Sequence, residues 1–308
     1  MMQMRFTLTS KPILLLLSIL VISLVATLSL FQPSTQQPIA SCTLPELKSP
    51  HAGMVWVPAG QFTMGSTFYA EEAPRRTVSV PGFWMDRTEV TNKEFAEFVN
   101  ATQYVTTAER PSKKGAAVFV VPTGNVDLSS ASSWWRYADD ANWRHPGGST
   151  TSIERRENYP VVAITIEDAQ AYAKWKGRAL PTEAQWERAA SDTAKERPEH
   201  EQPKNANTWQ GLFPLVDTAE DGFSGSAPVG CFKPNELGLY DMIGNVWELT
   251  IDTYADRTPP TRVIKGGSFL CAPNYCIRYR PAARQPQEQD LGTNHVGFRT
   301  VLNAPPLN

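Results

Sequence analysis

Histidine and cysteine are both scarce in this chain. Four of each occur among 308 residues, and the histidines stand far apart, at positions 51, 145, 200 and 295. Structural zinc draws four ligands from closely spaced pairs. The chain holds a single close cysteine pair, Cys271 and Cys276, so a zinc module has little to build on. An excess of one charge is missing as well, since 29 Lys and Arg against 31 Asp and Glu leave a formal charge of -2. Nucleic-acid binding asks for a concentrated basic face, and the one basic gathering is a local patch between 262 and 284. Nucleic acid is therefore not an expected partner. No repeat of fixed period runs through the chain, and past position 52 no inter-domain linker interrupts it.

Proline, glycine and tryptophan are plentiful instead, at 25, 19 and 9. That balance predicts long ordered loops pinned by aromatics. The N-terminus is a separate object. Residues 12–31 are apolar and uncharged, and Arg5 and Lys11 precede them. About 20 apolar residues span a bilayer as a helix, and positive charge before the span places the remainder on the exported side. The expectation is a signal-anchor or cleaved signal over 1–34, a linker over 35–52 and one domain over 53–308. I-A-S-C at 39–42 loosely resembles a lipoprotein box, though a polar spacer separates it from the apolar run. In an exported protein idle thiols tend toward disulfides. Cys42 and Cys231 can be free, paired or, for Cys42, lipid-modified, and the sequence leaves this open.

Along the domain, M-V-W-V-P-A-G-Q-F-T-M-G-S at 54–66 alternates like a hairpin about Pro58–Gly60, and 77–86 reads as a second extended pair. Thr91 with Glu94 forms a capping box before a helix that faces Phe95, Phe98 and Val99 inward. Thr165 caps a second helix running through Lys176 to Gly177, and Thr182 with Gln185 caps a third. Residues 107–156 are irregular but rich in tryptophan, 191–204 form a charged surface loop, and H-V-G-F-R at 295–299 reads as a terminal strand.

Two constellations carry chemistry. The loops offer oxygen donors, with Asn207 and Asp221 in one stretch and Asp241 and Glu248 in another. Such donors suit calcium, although neither stretch matches an EF-hand, and the plainer reading is that they cap turns and face solvent. Cys271 and Cys276 follow Gly266-Gly267-Ser268 and precede Arg278, Arg280 and Arg284. Two thiolates suit a low-coordinate Cu(I). A redox dithiol is a second reading, at a spacing other than C-x-x-C, and a plain disulfide is the blandest. The arginines can stabilise thiolates or simply form salt bridges.

Together these blocks resemble the formylglycine-generating enzymes, or sulfatase-modifying factors, over residues 54–301. R-A-L-P-T-E-A-Q-W-E-R-A-A and G-L-Y-D-M-I-G-N-V-W-E-L mark the broader fold, while G-G-S-F-L-C-A-P-N-Y-C-I-R-Y-R is the specific block. The resemblance implies an α/β domain of the formylglycine-generating-enzyme or C-type-lectin-like fold. Its regular structure is low, with a twisted antiparallel sheet and long calcium-stabilised loops. It implies an oxidase that converts a cysteine within a C-x-P-x-R segment of an unfolded or nascent sulfatase to Cα-formylglycine. Oxygen and a thiol reductant would be consumed. Cys271 and Cys276 would hold Cu(I), with Ser268, Trp247, Tyr275 and His295 around them. One calcium site would use Asn207, the Thr208 carbonyl, Asp221 and the Phe223 carbonyl. The other would use Asp241, the Gly244 and Val246 carbonyls, and Glu248.

This chain departs from the animal enzymes in places. Pro281 and Thr300 stand where those enzymes carry disulfide cysteines, and His295 stands where they carry Asn, which could alter pH dependence. The N-terminal segment implies a membrane-anchored or secreted protein, facing the periplasm or cell exterior, and the protein is expected to be a monomer. Two rival readings stay open: a same-fold exported oxidase or maturation factor acting on another peptide, and a non-catalytic binding protein.

Overall fold

The computed structural model describes residues 42–124, 127–191, 201–254 and 260–304. The apolar run at 12–31 and most of the 191–204 loop lie outside the described residues. Among the described residues no helix is long and apolar enough to cross a membrane.

Among the described residues, thirteen short strands and three α-helices alternate with long loops, in the order β1 (Met54–Val57), β2 (Gly60–Met64), β3 (Arg76–Val80), β4 (Phe83–Asp86), α1 (Asn92–Thr102), β5 (Ala116–Phe119), β6 (Trp135–Ala138), α2 (Ile166–Trp175), α3 (Glu183–Ala190), β7 (Gly211–Leu212), β8 (Val216–Asp217), β9 (Trp247–Tyr254), β10 (Thr261–Lys265), β11 (Arg284–Glu288), β12 (Val296–Gly297) and β13 (Val301–Leu302). All three helices start on a full capping box, at Thr91, Thr165 and Thr182. Each box satisfies orphan N–H groups from side chains three residues apart, a purely local device. Helix α1 buries Phe95 and Phe98 against Tyr172 of α2.

The expected hairpin at 54–66 does not form. β1 pairs with β4, from Met54 opposite Asp86 to Val57 opposite Phe83, while β2 pairs with β3. Burial explains the exchange. β1 and β4 are almost wholly buried, whereas β2 and β3 are mostly exposed, so each strand pairs with the one of matching polarity. The terminal strand expected at 295–299 also divides. β12 joins β9, β13 joins β4, and Arg299 between them turns inward to Glu248. A Cβ on Gly297 would sit 2.7 Å from the Val161 carbonyl oxygen, so the chain passes there only as glycine. The stretch 107–156, read as irregular, contains the β5–β6 ribbon.

The largest sheet runs β11-β10-β9-β12. It is antiparallel except at its end, where β12 pairs parallel to β9. Its inner residues Trp247, Leu249 and Ile264 join Phe95, Tyr172 and Phe298 in the main core, and Cys271 and Cys276 belong to that cluster. Cys42 and Cys231, left open by the sequence, are disulfide-bonded, which fastens the stretch before β1 to the 230 loop.

Candidate active site

The cysteine pair is a product of its flanking residues. Gly266 and Gly267 both take left-handed backbone, at φ 95° and 78°. A Cβ on Gly267 would lie 2.9 Å from the Arg278 carbonyl oxygen, so glycine lets the segment leaving β10 run against the segment that follows Cys276. Between them the chain makes one helical turn. The N–H groups of Tyr275 and Cys276 donate to the Ala272 carbonyl at 3.1 and 2.9 Å, and that of Cys271 to the Ser268 carbonyl at 2.9 Å. Asn274 braces the turn by exchanging hydrogen bonds with the backbone of Phe213. The outcome is two reduced, buried thiols with Sγ atoms 3.3 Å apart.

A cavity of about 270 Å³ opens beside them. Its wall includes all six residues singled out around the pair: Cys271, Cys276, Ser268, Trp247, Tyr275 and His295. Ser268 acts through its backbone, whose N–H donates to Cys271 Sγ at 3.5 Å, while its hydroxyl accepts from the Leu270 N–H. Tyr275 is half exposed and stacks on Phe213 at 4.3 Å. Two parts of the wall escaped sequence reasoning. Trp135 lies against the His295 ring at 4.9 Å, and residues 285–288 of β11 line the cavity in an unbroken run. R-Q-P-Q-E carries no apolar alternation that would have marked it as a strand.

The two thiols are not equivalent. A hydrogen bond from Cys271 and the charge of Arg278 hold Cys276 down at about 7, while burial pushes Cys271 well up. Cys276 is therefore the readier thiolate. Arg278 is itself fixed, donating to Glu71 at 2.6 Å and lying 4.3 Å over the Tyr69 ring. The other two arginines pair elsewhere, Arg280 with buried Glu72 and Arg284 with Glu183 at 2.8 Å. Burial lowers His295 to about 3, so its imidazole is neutral, with Nδ1 3.1 Å from the Thr293 hydroxyl.

The oxygen-rich loops form two further clusters. Asp221 accepts from the N–H of Thr208 at 3.0 Å and of Phe223 at 3.1 Å, which draws together the first donor set beside Asn207. In the second set, Glu248 also faces an arginine. Both oxygens of the fully buried Glu248 accept from Arg299 at 2.7 Å, and one also accepts from the Trp186 indole. Asp241, at φ 55°, accepts from the Gly230 N–H at 2.6 Å. Next to it stands Glu89, which sequence reasoning missed. One Glu89 oxygen accepts from Asn245 at 2.9 Å, and the Glu89 carboxyl also shares a hydrogen bond with the Asp241 carboxyl. Burial, together with the charge of Asp241, pushes Glu89 well up; burial lifts Asp241 to about 6. Among the described residues no three His, Cys, Asp or Glu side chains converge on one metal position. A cation at either cluster would thus draw on carbonyl and amide oxygens as well as carboxylates, as calcium does. At the cysteines, two adjacent thiols without a third such ligand fit a soft, low-coordinate ion.

The sulfatase-modifying factor enzyme 1-like domain matches residues 42–304. A formylglycine-generating enzyme of Mycobacterium tuberculosis is 45% identical over 291 residues, covering 81% of this chain and 97% of that one. A Mus musculus protein named inactive C-alpha-formylglycine-generating enzyme 2 is 38% identical over 292 residues, covering 90% and 94%. Among solved structures, PvdO from Pseudomonas aeruginosa matches with a TM-score of 0.58 and 22% identity, over 80% of this chain and 93% of that chain. That last likeness speaks to the fold alone.

Proposed function

The chain belongs to the sulfatase-modifying factor, or formylglycine-generating enzyme, family, and from that premise we propose that it oxidises a sulfatase cysteine within a C-x-P-x-R segment to Cα-formylglycine. The observation that carries this reading is the pair of reduced thiols 3.3 Å apart in the wall of a cavity. Overall likeness would not suffice, because a relative named inactive is nearly as similar as one named for the activity. A binding protein would have no use for a buried dithiol facing a cavity.

In net terms a –CH₂–SH group, O₂ and two electrons with two protons from a thiol reductant give –CHO, H₂S and water. Cys271 and Cys276 would hold Cu(I), which when bound supplies the oxygen and electron-transfer chemistry that side chains lack. The chain's own groups prepare the rest. Arg278 favours the thiolate of Cys276, and the Ser268 N–H fixes Cys271 Sγ. Trp247 and Tyr275 wall off the pocket. His295 contributes as a neutral hydrogen-bonding group. Calcium would stabilise the loops at Asn207, Thr208, Asp221 and Phe223, and again at Asp241, Gly244, Val246 and Glu248. There the Glu89 carboxyl, beside Asp241, adds a further oxygen to the donor set. Residues 1–34 would export the domain to its substrate, as an anchor or a cleaved signal.

The test is mass spectrometry of a C-T-P-S-R peptide incubated with the protein, Cu(I), oxygen and dithiothreitol. Conversion lowers the peptide mass by about 18 Da, the replacement of SH and H by an aldehyde oxygen, and creates a hydrazide-reactive group. An unchanged peptide with copper-loaded protein rejects this substrate.

A further inference from the structure

Strand β11 ends the largest sheet, and among the described residues no strand pairs with its outer side. Its inner side pairs with β10, Gln285 opposite Ile264 and Gln287 opposite Arg262. Pro286 has no N–H, so within a sheet it belongs where that position faces away from the ladder. This sets the phase of the strand. Gln285 and Gln287 bond toward β10, and the backbone groups of Pro286 and Glu288 point outward. Residues 285–288 all line the cavity that holds Cys271 and Cys276. Side chains of a strand alternate between faces, so four consecutive residues share one cavity when it runs along the strand's edge. An unpaired edge is a template for another extended chain.

We propose that the substrate segment docks as an added strand on the outer edge of β11, held by its backbone. The inference rests on the proposed substrate, and it accounts for the alternation in C-x-P-x-R. In an extended chain the cysteine, proline and arginine share one phase, and the two x positions share the other. The proline at +2 cannot donate, so its phase turns from β11. The +1 and +3 residues then face β11 through their backbone, donating to the Pro286 carbonyl and accepting from the Glu288 N–H. Positions gripped only by their backbone have no side-chain requirement, while Cys, Pro and Arg project together toward the cavity side. Such docking also requires an unfolded substrate, since a folded one has already spent those backbone groups.

Two measurements test it. In the first, N-methyl groups are placed in turn on the amides of C-T-P-S-R, and the unchanged protein is assayed. Methylation at Thr or Ser is expected to raise KM about tenfold, the loss of one hydrogen bond, with methylation at Cys or Arg within about twofold. In the second, Glu288→Pro, which removes an outward N–H and leaves the β10 ladder whole, is compared with Glu288→Ala. The proline variant should raise KM about tenfold over the alanine variant, whose own KM already contains any effect of losing the Glu288 side chain. Equal sensitivity at all four amides, or equal KM for the two variants, overturns edge docking. If the unmodified peptide is not turned over at all, it is the proposed reaction that fails, and this outcome is read before either comparison.

Discussion

At the C-x₄-C turn, two thiols stand 3.3 Å apart in the wall of a cavity, held by backbone hydrogen bonds from a single short segment. Around Glu89, carboxylates from residues 89, 241 and 248 are sunk in the core, and an arginine fully buried at position 299 engages one of them. The first cluster leaves its reactive atoms accessible to a ligand. The second crowds the carboxyl groups of Glu89 and Asp241 against one another in the core. The contrast separates chemistry from support. A reactive centre needs space and a group whose protonation is poised near neutrality. A supporting site needs convergent oxygens that are costly without a cation.

The sharpest way to break this comparison is at the cysteines. Cys271→Ser or Cys276→Ser should lower turnover by about 1,000-fold or more, as for a residue on which the chemistry depends. The stability cost should stay near 1–2 kcal/mol, that of one buried hydroxyl in place of a thiol. Peptide turnover and thermal melts measure the two effects. A variant that keeps full activity would remove the pair from the reaction, and one that unfolds outright would make the pair structural.

The same contrast decides what could be read in advance. Capping boxes, the C-x₄-C turn and the Gly-Gly before it are local, so their residues lie within a few positions of one another and the sequence announces them. Glu89 meets Asn245 across 156 positions, and nothing near Glu89 marks it as buried. β1 and β2 alternate equally well, and only the burial of their eventual partners separates them. β11 is polar and contains a proline, which hides it from any periodicity and also reveals, once the fold is known, which of its sides is free. Four of the six cysteine-pocket residues were legible from the specific family block, Trp247 from the broader-fold block, and His295 as a departure from the family. Their meeting in one wall is a property of the fold.

The carboxylate cluster gives the second, smaller effect. Asp241 has a folded value near 6 against an ordinary 3.8, and Glu89 is raised too. The folded chain therefore holds more protons than the unfolded chain over this window. Calcium-free stability should fall as pH rises from about 4 through about 6, by on the order of 2–3 kcal/mol for a two-unit displacement. Calcium should restore more stability at pH 7.5 than at pH 5. Subtracting the melts of Asp241→Asn from those of the parent cancels the other titrations. A difference that does not vary with pH, or a calcium response equal at both pH values, would show that no cation is needed there.

The smallest effect is expected at His295, where the sequence pointed to an altered pH dependence. Burial against Trp135 holds this histidine near 3, so it does not change charge between pH 5.5 and 8. His295→Asn should then leave the shape of the pH–activity profile unchanged and move kcat/KM by less than about threefold, since a neutral amide replaces a neutral imidazole. Stability gives the complementary reading. An unfolded histidine near 6.5 binds a proton that the folded one refuses, so the parent loses stability as pH falls from about 6.5 toward 3. The asparagine variant has no such proton to bind and should lose less on going from pH 7 to pH 5. An activity limb near 6.5 that vanishes in the variant would mean that the imidazole opens to solvent during turnover, which would make the His295 side of the pocket, and not the cysteine side, the part that moves.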